Sequence, residues 1–177
     1  MKKISLLLVI AVALAASAVA QNAHANFGQR SSIIVNLNDA SICTTSLGGG
    51  IFPASSWSFG ASQPISTTVG GGGGGAKAQV NDLSISKRTD ACSPALFNEV
   101  VTGKHIAKVT LTQEDTKKDD TFRVTLEEVL VSSYQIGGTL NDEVPTEQVS
   151  FHFAKICLED VQASSKTCYN AATNTTF

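Results

Sequence analysis

The side chains with the most chemical reach in this sequence are four cysteines, Cys43, Cys92, Cys157 and Cys168, and several adjacent acid pairs. Structural zinc sites usually draw on cysteines two to four residues apart, and no two of these are so spaced. No metal or other cofactor is therefore expected. An even number of cysteines suits two disulfides in a chain exported to an oxidising compartment. Pairing Cys157 with Cys168 would close a short loop and tie the end of the chain to the strand before it, worth about 3 kcal/mol. Cys43 with Cys92 then follows by elimination, although three pairings are open in principle.

Acid pairs occur at Glu114-Asp115, Asp119-Asp120 and Glu127-Glu128, among others. Glycoside-type hydrolysis needs two carboxylates facing one cleft. Adjacent strand residues point to opposite faces, so Glu127 and Glu128 can share a cleft only if a bulge re-aims them. His105 follows a helix end and is expected to contact the last helical carbonyls. His152 alternates with Phe151 and Phe153, which places it on the outer face of a strand. No G-x-S-x-G or H-E-x-x-H motif occurs. The run Gly70–Gly75 lacks a phosphate loop's ending, because Ala76 precedes Lys77 and Ala78 follows it. It reads as a flexible loop. No catalytic residue is expected.

The elements that must position these groups are mostly strands. Residues 31–37, SSIIVNL, alternate and are β-branched. A Gly/Ser/Pro-rich stretch, 44–55, is expected to be irregular. Trp57 and Phe59, two apart, should share one face of a strand, and Leu83 and Ile85 repeat that spacing within 78–87. One helix follows, with Ser93 as N-cap, Pro94 at the first helical position and Gly103 as the terminating glycine. Leu96, Phe97, Val100 and Val101 form its expected packing stripe. Ala107, Val109 and Leu111 alternate along the next strand, and the segment EDTKKDD is a charged turn. In 121–131 the apolar phase runs through Phe122, Val124 and Leu126, then slips to Val129 and Val131. The last strand slips likewise, from Val149, Phe151 and Phe153 to Ile156 and Leu158. Such slips call for bulges or a second covered face.

The chain opens with Lys2 and Lys3, an uncharged apolar run from Leu6 to Ala16, and small residues ending at Ala20 or Ala25. That is the layout of a cleaved signal peptide, residues 1–25, and it is short of the roughly 20 strongly apolar residues of a spanning helix. Its removal leaves 11 basic against 15 acidic residues, a net charge of −4. Nucleic acid is a poor partner for such a balance. About 150 residues can bury a single core. The mature chain reads as one domain, 26–160, with a tail, 161–177.

Four segments, SWSFG at 56–60, DLSISKRTDACSPALFNEVVTGKHIAKVTLT at 82–112, FRVTLEEVLVSSYQIGG at 122–138 and EVPTEQVSFHFAKI at 143–156, resemble the Hcp family in order and spacing. The resemblance implies a mainly β fold, a compact barrel of two antiparallel sheets with one helix on its side. It further implies protomers closing into a six-membered ring, whose stacking forms the tube of a type VI secretion system that carries or accompanies effectors. The leader, the cysteines, the glycine run and the tail depart from the tube pattern, so an exported, non-enzymatic, ring-forming relative is expected, periplasmic or extracellular. Its partners would be its own copies, with secretion-system or effector proteins beyond them. Ile156 and Leu158 are the expected outward apolar assembly surface. The alternative is a monomeric exported β-domain that binds a surface glycan, peptide or protein.

Overall fold

The computed structural model describes residues 31–64, 77–115 and 120–177. The expected leader, the Gly70–Gly75 run and residues 116–119 of the charged turn lie outside the described residues. The strands are β1 (Ser31–Asn36), β2 (Thr44–Thr45), β3 (Gly48–Gly49), β4 (Ile51–Pro53), β5 (Ser56–Ser58), β6 (Ala61–Ser62), β7 (Gln79–Val80), β8 (Leu83–Arg88), β9 (Ile106–Asp115), β10 (Asp120–Gly137), β11 (Thr146–Asp160), β12 (Ser165–Asn170) and β13 (Thr175–Thr176). The described helix, α1, spans Ser93–Thr102.

Nine strands form one antiparallel sheet, ordered β13-β12-β11-β10-β9-β1-β4, with β8 also on β11 and β5 beyond β8. The free edge of β11 is shared: residues 146–151 pair with β8 and residues 155–160 with β12. The barrel expectation is corrected in one respect, because the ladder does not close. Its two margins are joined instead by a chain corner at Pro53. The N–H of Ala54 still reaches the Ile33 carbonyl on β1 (2.9 Å), while the N–H of Ser55 reaches the Ser86 carbonyl on β8 (2.7 Å). A proline, with no N–H to donate, fits where a strand changes partners. The expected tail also joins the sheet, as β12 and β13.

The stretch 44–55 is more ordered than its composition suggests, since it contains β2, β3 and β4. Gly50 has φ 69°, and a Cβ there would meet the Asp39 carbonyl oxygen at 2.6 Å. Glycine thus lets the ribbon fold tightly against residues 39–40 and deliver Phe52 fully buried into the core.

Helix α1 ends as expected, with Gly103 at φ 63° donating its N–H to the Glu99 carbonyl. Its start and its buried face differ. The N-cap is Cys92, without a side-chain cap; the Ser93 hydroxyl instead accepts the Asp90 N–H at 2.9 Å. Cys92 is fully buried and disulfide-bonded to Cys43. That anchor turns positions 92, 96 and 99 inward, one helical face by their spacing. Leu96 is buried and Val100 packs against the core, but Phe97 and Val101 are 53% and 60% exposed.

The phase slips have a shared geometry. Leu126 pairs with Val109 and Ile156, and Val129 pairs with Ile106 and Phe153; all six residues are buried. Between those levels each strand carries two residues outside the core: Ala107-Lys108, Glu127-Glu128 and Ala154-Lys155. Three neighbouring strands therefore change phase together, and pairing runs through the slip without an inserted residue. Ala107, expected inward, is exposed for this reason. The backbone accommodates the slip at Glu128, which sits at φ 54°. The true register shift lies further along β10, between Val131 and Ser133.

A left-handed residue with a side chain is strained by about 1 kcal/mol. Glu128→Gly should therefore raise the unfolding free energy of the oxidised protein by about 0.5–1 kcal/mol in urea denaturation.

Candidate assembly surfaces

Three of the segments that carry the family resemblance, 82–112, 122–138 and 143–156, meet in space at the base of α1. Lys87 from β8 and Glu147 from β11 are both fully buried, with Nζ and Oε1 2.5 Å apart. The Lys87 ammonium also reaches Asp90 Oδ1 (2.9 Å) and the Arg88 carbonyl (3.0 Å), and it lies 5.1 Å from the centre of the Phe52 ring. Its three N–H donors thus have three acceptors. Tyr134 of β10 donates its hydroxyl to the second Glu147 oxygen at 2.6 Å. Burial, then the hydrogen bond to Glu147 and its charge, push the Tyr134 phenol from the usual 10.0 up to about 12. This cluster pins the helix start to three strands and is closed to solvent at its centre. It positions α1. The sequence reading did not single out Lys87 or Glu147, which lie 60 residues apart and signal themselves only as a basic and an acidic residue at inward strand positions.

The acid pair of β10 does not converge. Glu127 pairs with Lys155 at 3.2 Å, whereas Glu128 lines an open cleft of about 770 Å³ beside β11. That cleft also takes His105, which turns into it rather than onto the helix carbonyls, and His152, 2.9 Å from Asp82. Ser132, the extra residue of the register shift, donates to Asp82 as well. His152 is exposed as its alternation requires. Among the described residues no three side chains form a metal-binding group.

The expected outward surface is corrected. Ile156 is 4% exposed and Leu158 is half-buried against the core, because the shared slip keeps the new apolar phase on the inner side. Outward apolar area lies elsewhere. Phe97 contacts the Tyr134 ring at 5.8 Å, Val101 follows one helical turn on, and Ile136 is 56% exposed two residues beyond Tyr134. A second surface is uncharged and polar. Ser58, Ser84, Ser150 and Ser133 run in register across β5, β8, β11 and β10, beside a row of Ser56, Ser86, Gln148 and Gln135. Ser84 and Ser150 are hydrogen-bonded at 2.9 Å within this face.

A family model described as "Type VI secretion system effector, Hcp" matches residues 51–159. The chain belongs to the Hcp family. The protein hcp1 of Pseudomonas aeruginosa is 38% identical over 83 residues, covering 45% of this chain and 51% of that one. The match thus spans about half the length of this relative. Among solved structures, Hcp1 of Salmonella typhimurium superposes with a TM-score of 0.68 at 21% identity, covering 84% of this chain and 100% of that one. A structure described as a type six secretion system protein gives 0.69 at 20% identity, covering 82% and 99%. These two establish the Hcp fold. Lys87, Asp90, Ser93, Tyr134 and Glu147 all fall within the family match.

Removing one member of a buried charge pair costs about 3–5 kcal/mol, because the other charge is left unpaired. Glu147→Ala should lose stability on that scale, and the double variant Lys87→Met, Glu147→Leu should recover most of it in denaturation curves. The Tyr134 shift has its own signature. A phenol raised above its unfolded value contributes stability that is fully present below pH 10 and is lost as pH rises through about 12. Tyr134→Phe should flatten that alkaline loss, measured as unfolding free energy against pH.

Proposed function

We propose that this protein is a ring-forming, non-enzymatic Hcp subunit of the type VI secretion type, exported and acting as a tube or carrier component. The observation that carries the reading is the exposed face of α1: the helix turns Ser93, Leu96 and Glu99 inward and presents Phe97 and Val101 to solvent. A helix that keeps two large apolar residues outside has a face suited to burial by another protein surface. A second copy of this chain is the partner that the family resemblance implies. The uncharged Ser/Gln face suits the lining of a passage, since it offers hydrogen bonds without trapping charged or apolar cargo. The leader-like start and the two disulfides support passage through an oxidising compartment.

The mature, oxidised protein should show a mass six times that of the protomer by light scattering after size exclusion. Phe97→Asp or Val101→Asp should shift that mass towards the protomer with an unchanged circular dichroism spectrum. A wild-type monomer would displace this reading in favour of an exported β-domain with a different partner.

A further inference from the structure

Each disulfide joins a cysteine inside the family match, Cys92 or Cys157, to one outside it, Cys43 or Cys168. The two flanking segments are held very differently. The N-terminal one lies within the sheet, with Val35 and Leu37 fully buried. The C-terminal one, the β12–β13 hairpin, buries only Cys168, with Tyr169, Asn170 and Ala171 half-covered and the remainder exposed. Cys157 and Cys168 are directly opposite across the β11–β12 ladder. The hairpin covers the Lys155–Asp160 edge of β11 and forms one wall of the open cleft through Ala171 and Ala172. Beyond the ladder it is held to the segment before β8 by Asn174, which accepts the Ala78 N–H, and by the Tyr169 hydroxyl on the Ala78 carbonyl.

We propose that the β12–β13 hairpin is a disulfide-held cover, closed while Cys157–Cys168 is oxidised and released when a dithiol reduces it, with the rest of the fold intact. β12 and β13 hang on the sheet margin by one short ladder with little buried area, and an element so held is among the first to open without a covalent tie. The chemistry is ordinary exchange. A thiolate of the dithiol attacks the sulfur of Cys157, a half-buried residue, and the Cys168 thiolate leaves and takes up a proton. The second thiol of the dithiol then attacks the mixed disulfide, frees the Cys157 thiol and departs oxidised. Two electrons and two protons pass to the protein. Release uncovers a strand edge and widens the cleft that holds His152, Asp82 and Glu128.

Hydrogen exchange followed by mass spectrometry on the full mature chain tests this, comparing the oxidised wild type, the Cys157→Ser, Cys168→Ser double variant, and wild type treated with dithiothreitol. In the double variant, amides of 165–176 and the edge amides of 155–160 should exchange about 100-fold faster, while β9 and the core of β10 keep their protection. In dithiothreitol the thiols of Cys157 and Cys168 should be alkylated before those of Cys43 and Cys92. Unchanged hairpin protection in the double variant would overturn the proposal. So would loss of core protection along with the hairpin, or alkylation of all four cysteines at one rate.

Discussion

A lysine ammonium with no access to water is the constraint around which this fold is arranged. Burying an unpaired charge is prohibitive, so Lys87 demands acceptors at fixed positions. They come from Glu147 on a neighbouring strand, from Asp90 at the approach to the helix, and from the backbone of Arg88. Glu147 in turn holds Tyr134, and Tyr134 carries Phe97 on its ring. The helix is thereby oriented from its first turn by polar contacts, with the Cys43–Cys92 disulfide beside them. Its outward Phe97 and Val101 are a consequence of what its inner face must reach.

The same logic separates the two ends of the chain. The first strand and the residue after it bring Val35 and Leu37 into the common core, and the strand is flanked on both sides by β9 and β4. The last two strands extend one margin and contribute little apolar burial. Hydrophobic area therefore secures the beginning of the domain, and covalent chemistry secures its end. Between them, the outer face of β5, β8, β11 and β10 is free of charge over two full rows, while the Asp82–His152 contact and the Arg88–Glu143 ion pair stand at its ends.

Much of the fold was legible because local rules and tertiary demands agree. Alternation marked β1, β8, β9 and β11, and Pro94 with Gly103 marked the helix. What escaped the sequence reading depends on partners distant along the chain. The rotation of α1 follows from contacts to β8, β10 and β11, which no helical period contains. Residues 44–55 read as irregular because glycine usually loosens the chain, whereas here Gly50 permits a close approach that builds a ribbon. Ile156 read as outward because a period-2 pattern cannot tell a strand that turns over from a sheet that shifts as a whole. Lys87 and Glu147 were invisible as a pair for the same reason of distance.

That collective shift has a parallel in crystals. The level through Lys108, Glu127-Glu128 and Lys155 behaves as a line defect crossing three strands, and such a line ends only at a boundary. It cannot be healed within one strand, since restoring alternation there would turn that strand's apolar residues away from both neighbours at once. Single-residue insertions or deletions in the middle of these strands should accordingly be far less tolerated than at their turns. The one place where β10 does carry an extra residue, Ser132, lies on the far side of the line, where β9 no longer pairs with it.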